Sequence, residues 1–140
     1  MKSILLNKLK EDSLEKWRQL CPTLHSIPLN DKSFIYFQGS SCPYVFLIKS
    51  GIVKLSYISE QGSEWTVALL KQGDVIGRLQ TDSAIDKMEE TAQALGEVTL
   101  YRFEDHDFKA FILQHPGLSW QFFESQCVRR QQAERKLLNI

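Results

Sequence analysis

Apolar and polar residues change their rhythm twice along this chain. Over the first twenty residues Ile4, Leu5, Leu9, Leu14, Trp17 and Leu20 recur at three-to-five spacing among Lys8, Lys10, Glu11, Asp12, Glu15 and Arg18. That spacing predicts a short amphipathic helix, stopped by Pro22. From Thr23 to Phe103 the texture is one of short strands between turn residues. Ser33–Phe37, Tyr44–Lys49, Ile52–Tyr57, Ser63–Leu70, Val75–Gly77 and Glu97–Phe103 read as strands, with turns at Gly39–Pro43, Ser50-Gly51, Gln61-Gly62 and Gln72-Gly73-Asp74. Ile52–Tyr57 alternates apolar and polar side chains as a half-buried strand must. Short strands at this regular spacing predict an antiparallel barrel or jelly roll.

The remainder is helical in pattern. Glu104-Asp105-His106-Asp107 offers acidic caps to a short helix carrying Phe108, Phe111, Ile112 and Leu113, and His115-Pro116-Gly117 breaks it. From Leu118 a long helix is expected, with Trp120, Phe123, Cys127, Arg130, Glu134 and Leu137 at heptad-like spacing. Its first half is apolar on one face. Its second half, Arg129–Lys136, is mostly polar, so a coiled-coil partner, a second copy of the chain, is expected along it. The expected organisation is therefore a helix over residues 1–22, a β-roll over 23–103, a short helix over 104–116 and the start of a dimerisation helix over 117–140.

Composition narrows the function. The 140 residues are 43% hydrophobic and 24% charged, which suits one folded domain. Lys plus Arg and Asp plus Glu number 17 each, so the net charge is zero. A DNA-gripping surface normally carries a basic excess, and this stretch lacks one. Cys21, Cys42 and Cys127 are widely spaced and form no CxxC pair, so buried thiols in a reducing compartment are expected, with neither a zinc site nor an iron–sulfur cluster. No signal peptide or membrane-length apolar run occurs, which points to the cytoplasm. His25, His106 and His115 are scattered, and no nucleophile–base motif or phosphate-cradling glycine loop is present. No metal, cofactor or catalytic activity is expected.

The order of elements resembles the Crp/Fnr regulators: helix, β-roll, short helix ending in His-Pro, long helix. Val45–Ser56 is similar to that family's strand–Gly–strand signature. Glu60–Leu70 followed by Gly73-Asp74-Val75-Ile76-Gly77 is closer still to its branch of cyanobacterial global nitrogen regulators, the NtcA branch. The resemblance covers roughly the whole chain. It implies a mainly β fold with helices: a double-stranded β-helix, or jelly roll, of the cyclic-nucleotide-binding type, a short N-terminal helix and a long C-terminal dimerisation helix. It also implies a homodimer, and DNA contact only through a helix-turn-helix domain, which has no counterpart in these 140 residues.

In cyclic-nucleotide-binding members a Glu accepts from the ribose hydroxyl and an Arg neutralises the cyclic phosphate. The matching positions here are Arg78 and Met88, with Lys87 before Met88 and Glu89 and Glu90 after it. Cyclic nucleotide binding is therefore not expected. In the nitrogen-regulator branch the effector is 2-oxoglutarate, which implies Ile76, Gly77, Arg78 and Leu79 for the pocket segment and Arg129 and Glu134 on the long helix. The roll Arg of that branch is again replaced by Met88, and Arg78 or Lys87 offers a compensating cation. Arg129 and Glu134 fit an interhelical ion pair equally well, and Arg78 fits a surface turn. Trp65, Trp120, Phe122 and Phe123 are expected in core or interface. The function that follows is the effector-sensing and dimerising domain of a transcription regulator. The alternative is a stand-alone sensor or interaction module without DNA binding, controlled by a protein co-regulator.

Overall fold

The structure is a computed structural model that describes residues 25–77 and 87–117. Six strands and one helix lie there: β1 (His25–Leu29), β2 (Phe34–Tyr36), β3 (Tyr44–Ile58), β4 (Glu64–Leu70), β5 (Val75–Gly77), β6 (Thr91–Glu104) and α1 (Asp105–Gln114). Every strand pairing is antiparallel. The expected N-terminal helix over 1–22 falls outside the described residues, as does the long helix expected over 117–140 from Leu118 onward.

Two long strands, β3 and β6, run side by side and organise the rest. Where Tyr44–Ile48 pairs with Leu100–Glu104, β5 lies on the outer side of β3 and β1 on the outer side of β6. Where Ile52–Ser56 pairs with Thr91–Leu95, β4 and β2 take those places. Each long strand thus serves both halves of the roll, which is what makes a jelly roll from few strands. The halves meet at Gly51, where the register slips from Ser50↔Thr99 to Ile52↔Leu95.

Gly51 corrects one expectation. Ser50-Gly51 carries a turn signal, yet the chain continues through it as a single strand. Both flanking segments keep β6 as their neighbour, so the glycine serves a bulge and not a reversal. Gly51 has φ +93, and a Cβ there would run into the Glu97 carbonyl oxygen, with Val98 Cα 2.9 Å away. Only a residue without a side chain lets β6 cross so closely.

Two further strands differ from expectation. β6 begins at Thr91, six residues before the expected Glu97, because Gly96 looks like a strand end but lies within the same irregular stretch. β1 was hidden by Pro28, which breaks the strand pattern. Among the described residues β1 pairs only with β6, an edge position where a missing N–H is tolerated.

The strands separate two cores. Phe46, Ile48, Val53, Leu55, Leu70, Ile76, Met88, Ala92 and Leu100 pack inside the roll. Val45, Leu47, Val75, Tyr101 and Phe103 face outward onto Phe108, Phe111 and Ile112 of α1. Val45–Ile48 is therefore buried on both faces, which explains its unbroken apolar run beside the alternation of Ile52–Tyr57. In α1 Phe108, Phe111 and Ile112 stand at i, i+3 and i+4 and are buried, while Leu113 is exposed. Glu104 stands at the N-cap but makes no side-chain cap bond. The acidic contribution comes from Asp105 and Asp107 in the first turn, where the helix dipole favours anions, and Lys109 pairs with Asp105 at 3.1 Å. His115 ends the helix as expected. Among the described residues no helix is long and apolar enough to cross a membrane.

Candidate functional site

The site is built from the Lys71–Asp74 turn outward. Gly73 N donates to Ile48 O and Ile48 N donates to Asp74 O, which pins the turn to β3. The buried Asp74 carboxylate accepts from Lys71 N at 2.9 Å, closing the loop on itself. β5 leaves this turn with Val75 in the core beneath α1 and Ile76 in the roll interior. Gly77 follows at φ +119, where a Cβ would sit 3.0 Å from Tyr44 O and 3.2 Å from Val45 Cα. A glycine is needed here for β5 to lie against β3.

Of the expected effector residues, Ile76 is wholly buried in the roll interior and Gly77 follows it, half-buried, as the last residue of β5. Lys87 is exposed and precedes Met88, which is only 3% exposed and lies in the same core cluster as Ile76. Met88 is held through its backbone: Gly39 N donates to Met88 O and Met88 N donates to Ser40 O, both at 2.8 Å. Arg78, Leu79, Arg129 and Glu134 lie outside the described residues. So do the interface candidates Trp120, Phe123, Cys127, Arg130 and Leu137. Trp65, expected in core or interface, is 37% exposed on β4.

One cation was missed. Arg102 lies opposite Phe46, and Phe46 lies opposite Ile76 on its other side, so the guanidinium shares a cross-strand row with the candidate segment. It stacks on the Tyr44 ring with its Cζ 4.6 Å from the centroid. Arg102 keeps the strand parity of the interior residues Val98 and Leu100, but its own side chain is exposed.

Cys42 bears out the buried-thiol reading at the one described cysteine. It is 7% exposed, its Sγ lies 3.8 Å from Tyr44 O as a donor, and burial pushes its thiol above the ordinary value of 9.0. A folded state that keeps a proton the unfolded chain has released loses stability as pH rises. The contribution of Cys42 is therefore complete below about pH 9 and fades above it. With Cys21 and Cys127 replaced by serine, Cys42 is expected to resist a thiol reagent at pH 8 until urea unfolds the domain. Labelling at the free-thiol rate in the folded state would overturn this.

Glu104, His106 and Asp107 gather at the start of α1, with His106 Nε2 3.5 Å from Glu104 Oε2 and 3.2 Å from Asp107 Oδ1. All three are exposed and sit at the positive end of the helix dipole, which opposes a cation.

Comparison with known proteins places this geometry. The model of the cyclic nucleotide-binding domain matches residues 27–115, more than half of the chain. The chain belongs to that family. The cyclic nucleotide-binding domain fold is also seen in the heme domain of CooA from Carboxydothermus hydrogenoformans, 19% identical, with a TM-score of 0.70 over 96% of this chain and 93% of that one. The catabolite activator protein of Thermus thermophilus is 22% identical, with a TM-score of 0.69 over 89% of this chain and 59% of that one. At these identities the two structures speak for the fold alone. The global nitrogen regulator of Synechocystis sp. is 32% identical over 102 residues, 71% of this chain and 45% of the relative. The chain spans less than half the length of the curated relatives it matches. The Crp/Fnr resemblance and its nitrogen-regulator branch are borne out at this level.

Proposed function

We propose that the chain is the effector-sensing and dimerising domain of a Crp/Fnr-type transcription regulator whose effector is not a cyclic nucleotide. The observation that carries the second half is Met88. At the place where cyclic-nucleotide-binding members set an arginine against the phosphate, this chain buries an apolar side chain in the core of the roll. A cyclic phosphate at that position would meet a buried thioether in place of the bidentate arginine, so its desolvation there would not be offset by the fork of donors it needs. Glu89, next along the chain and exposed, adds like charge.

A small dicarboxylate such as 2-oxoglutarate is the effector this reading favours. Lys87, and beyond the described residues Arg78 and Arg129, supply the cations a dicarboxylate needs. The similarity to the global nitrogen regulator supports the same choice. Ligand between roll and helix would shift the balance between two arrangements of the dimer helices, and so the spacing of attached DNA-reading domains.

Calorimetric titration of the chain with 2-oxoglutarate, cyclic AMP and cyclic GMP tests this. Saturable heat is expected with 2-oxoglutarate and none with either nucleotide at concentrations up to about 1 mM, the affinity below which little more than 4 kcal/mol of binding is at stake. Micromolar binding of cyclic AMP would overturn the reading. Silence with all three favours the partner-controlled module instead.

A further inference from the structure

Two stretches of chain that are distant in sequence, Met88–Thr91 and the end of β3, converge on one short turn. The turn runs from Phe37 to Ser40, with Ser40 N and Ser40 Oγ both donating to Phe37 O, and with Gly39 at φ +83. On one side Gly39 N donates to Met88 O and Met88 N donates to Ser40 O. On a second side Gln38 N donates to Thr91 Oγ1 at the start of β6. On the third, the Gln38 side chain grips both polar backbone atoms of Ile58. Ile58 N donates to Gln38 Oε1 at 2.7 Å, and Gln38 Nε2 donates to Ile58 O at 3.1 Å.

Ile58 is the last residue of β3, and the hairpin to β4 begins directly after it. That hairpin is closed by its own bonds, from Ser59 N to Ser63 O, Gly62 N to Ser59 O and Ser63 N to Ser59 Oγ. It is flanked by two exposed apolar side chains, Ile58 and Trp65. Met88, at the other end of the chain of bonds, has its side chain in the core of the roll.

We propose that the Phe37–Ser40 turn is a mechanical coupler, with Gln38 as its positioning residue, that passes a displacement of Met88 to the β3–β4 hairpin. The turn is short and internally bonded, so it moves as a unit when Met88 pulls on Gly39 and Ser40. The two-point grip of Gln38 on Ile58 then carries that movement to the base of the hairpin, because an amide bonded through both ends resists sliding and rotation alike. The coupling belongs to the fold and stands whether or not an effector binds. Its consequence is that the packing of Met88 in the roll core is read at an exposed apolar surface elsewhere on the domain.

Contiguous bonds alone do not demonstrate coupling, so the test is a double-mutant cycle. The readout is the amide resonances of Ser59, Gly62 and Ser63, none of which bonds to Gln38. Met88→Leu conserves volume and leaves the fold intact. It is expected to shift these resonances in the otherwise unchanged chain, and the shifts are expected to fall by about half or more in a Gln38→Ala background. Gln38→Glu keeps the acceptor for Ile58 N and loses the donor, and is expected to fall between. Gly39→Ala is an independent perturbation of the turn itself, since φ there is +83, which strains a residue with a side chain, while the added Cβ meets nothing within 4 Å. Its effect on the hairpin should depend on Gln38 in the same way. Equal hairpin shifts with and without the Gln38 side chain, or no shift from either perturbation, would overturn the proposal.

Discussion

Gly51→Ala is expected to destabilise the domain by about 2–5 kcal/mol, the sum of a left-handed backbone penalty of roughly 1–2 kcal/mol and an overpacking cost of roughly 1–3 kcal/mol. The first part arises because φ is +93. The second arises because the added Cβ would meet the Glu97 carbonyl oxygen and Val98 Cα, which are main-chain atoms that no rotamer change can move aside. Relief requires β6 to shift against β3, and those two strands pair along both halves of the roll. A loss of this size is a large part of a total stability of roughly 5–15 kcal/mol. Urea unfolding followed by circular dichroism measures it. Gly62→Ala is the control: it shares a positive φ of +86, but its Cβ would have nothing within 4 Å. It should cost only the backbone part, about 1–2 kcal/mol. Equal losses at the two positions would show that the close approach of β6 is not what Gly51 is for.

The same glycine shows where sequence reading succeeds and where it stops. The rhythm of apolar residues locates β4 and β5 to within a residue and the outer ends of β3 likewise, though it reads β3 as two strands. What the rhythm does not contain is which strand lies beside which. Ser50-Gly51 was read as a turn because local chemistry marks a positive φ without saying whether the chain reverses or bulges. Only β6, some forty-five residues further on, decides it. Thr91–Leu95 escaped for a related reason: the stretch interrupted by Gly96 resembles a strand end until its partner is known. Pro28 concealed β1, since an edge position is a property of the sheet and not of the segment.

The candidate site was legible unevenly. The position of Ile76 and Gly77 in a strand after the Gly73-Asp74 turn is legible, because that turn is pinned to Ile48 of β3. Met88 was aligned as the residue standing where a phosphate-binding arginine would be, but its burial was not visible in Lys87-Met88-Glu89-Glu90, a segment with two acids and a lysine. Arg102 is exposed, as a lone cation in a strand reads; what the sequence does not contain is its stacking on Tyr44. Its position beside Phe46 and Ile76 exists only across three strands.

Phe108→Ala is expected to cost about 3–5 kcal/mol, the range for truncating a fully buried phenylalanine. Phe108 has 0% of its surface exposed and sets its ring edge-on to Phe103 at 5.8 Å between centroids. It stands at the centre of the outer core, with Val45, Leu47 and Val75 beneath it and Phe111 and Ile112 beside it. Its loss removes the main apolar anchor of α1, and the acidic first turn of that helix offers only surface charge in exchange. Leu113→Ala is the matched control on the same helix, since Leu113 is 81% exposed and should change stability by no more than about 0.5 kcal/mol. The consequence for the site follows from β5. Val75 belongs to the core under α1 while Ile76 belongs to the roll interior, so one short strand is gripped by both cores. Freeing α1 removes one of those grips from the segment that leads into Gly77. Phe108→Ala is therefore expected to speed amide exchange in Val75–Gly77 as well as in Asp105–Gln114, whereas Leu113→Ala should leave both unchanged. Faster exchange confined to α1 would mean that the helix rests on the roll without restraining β5.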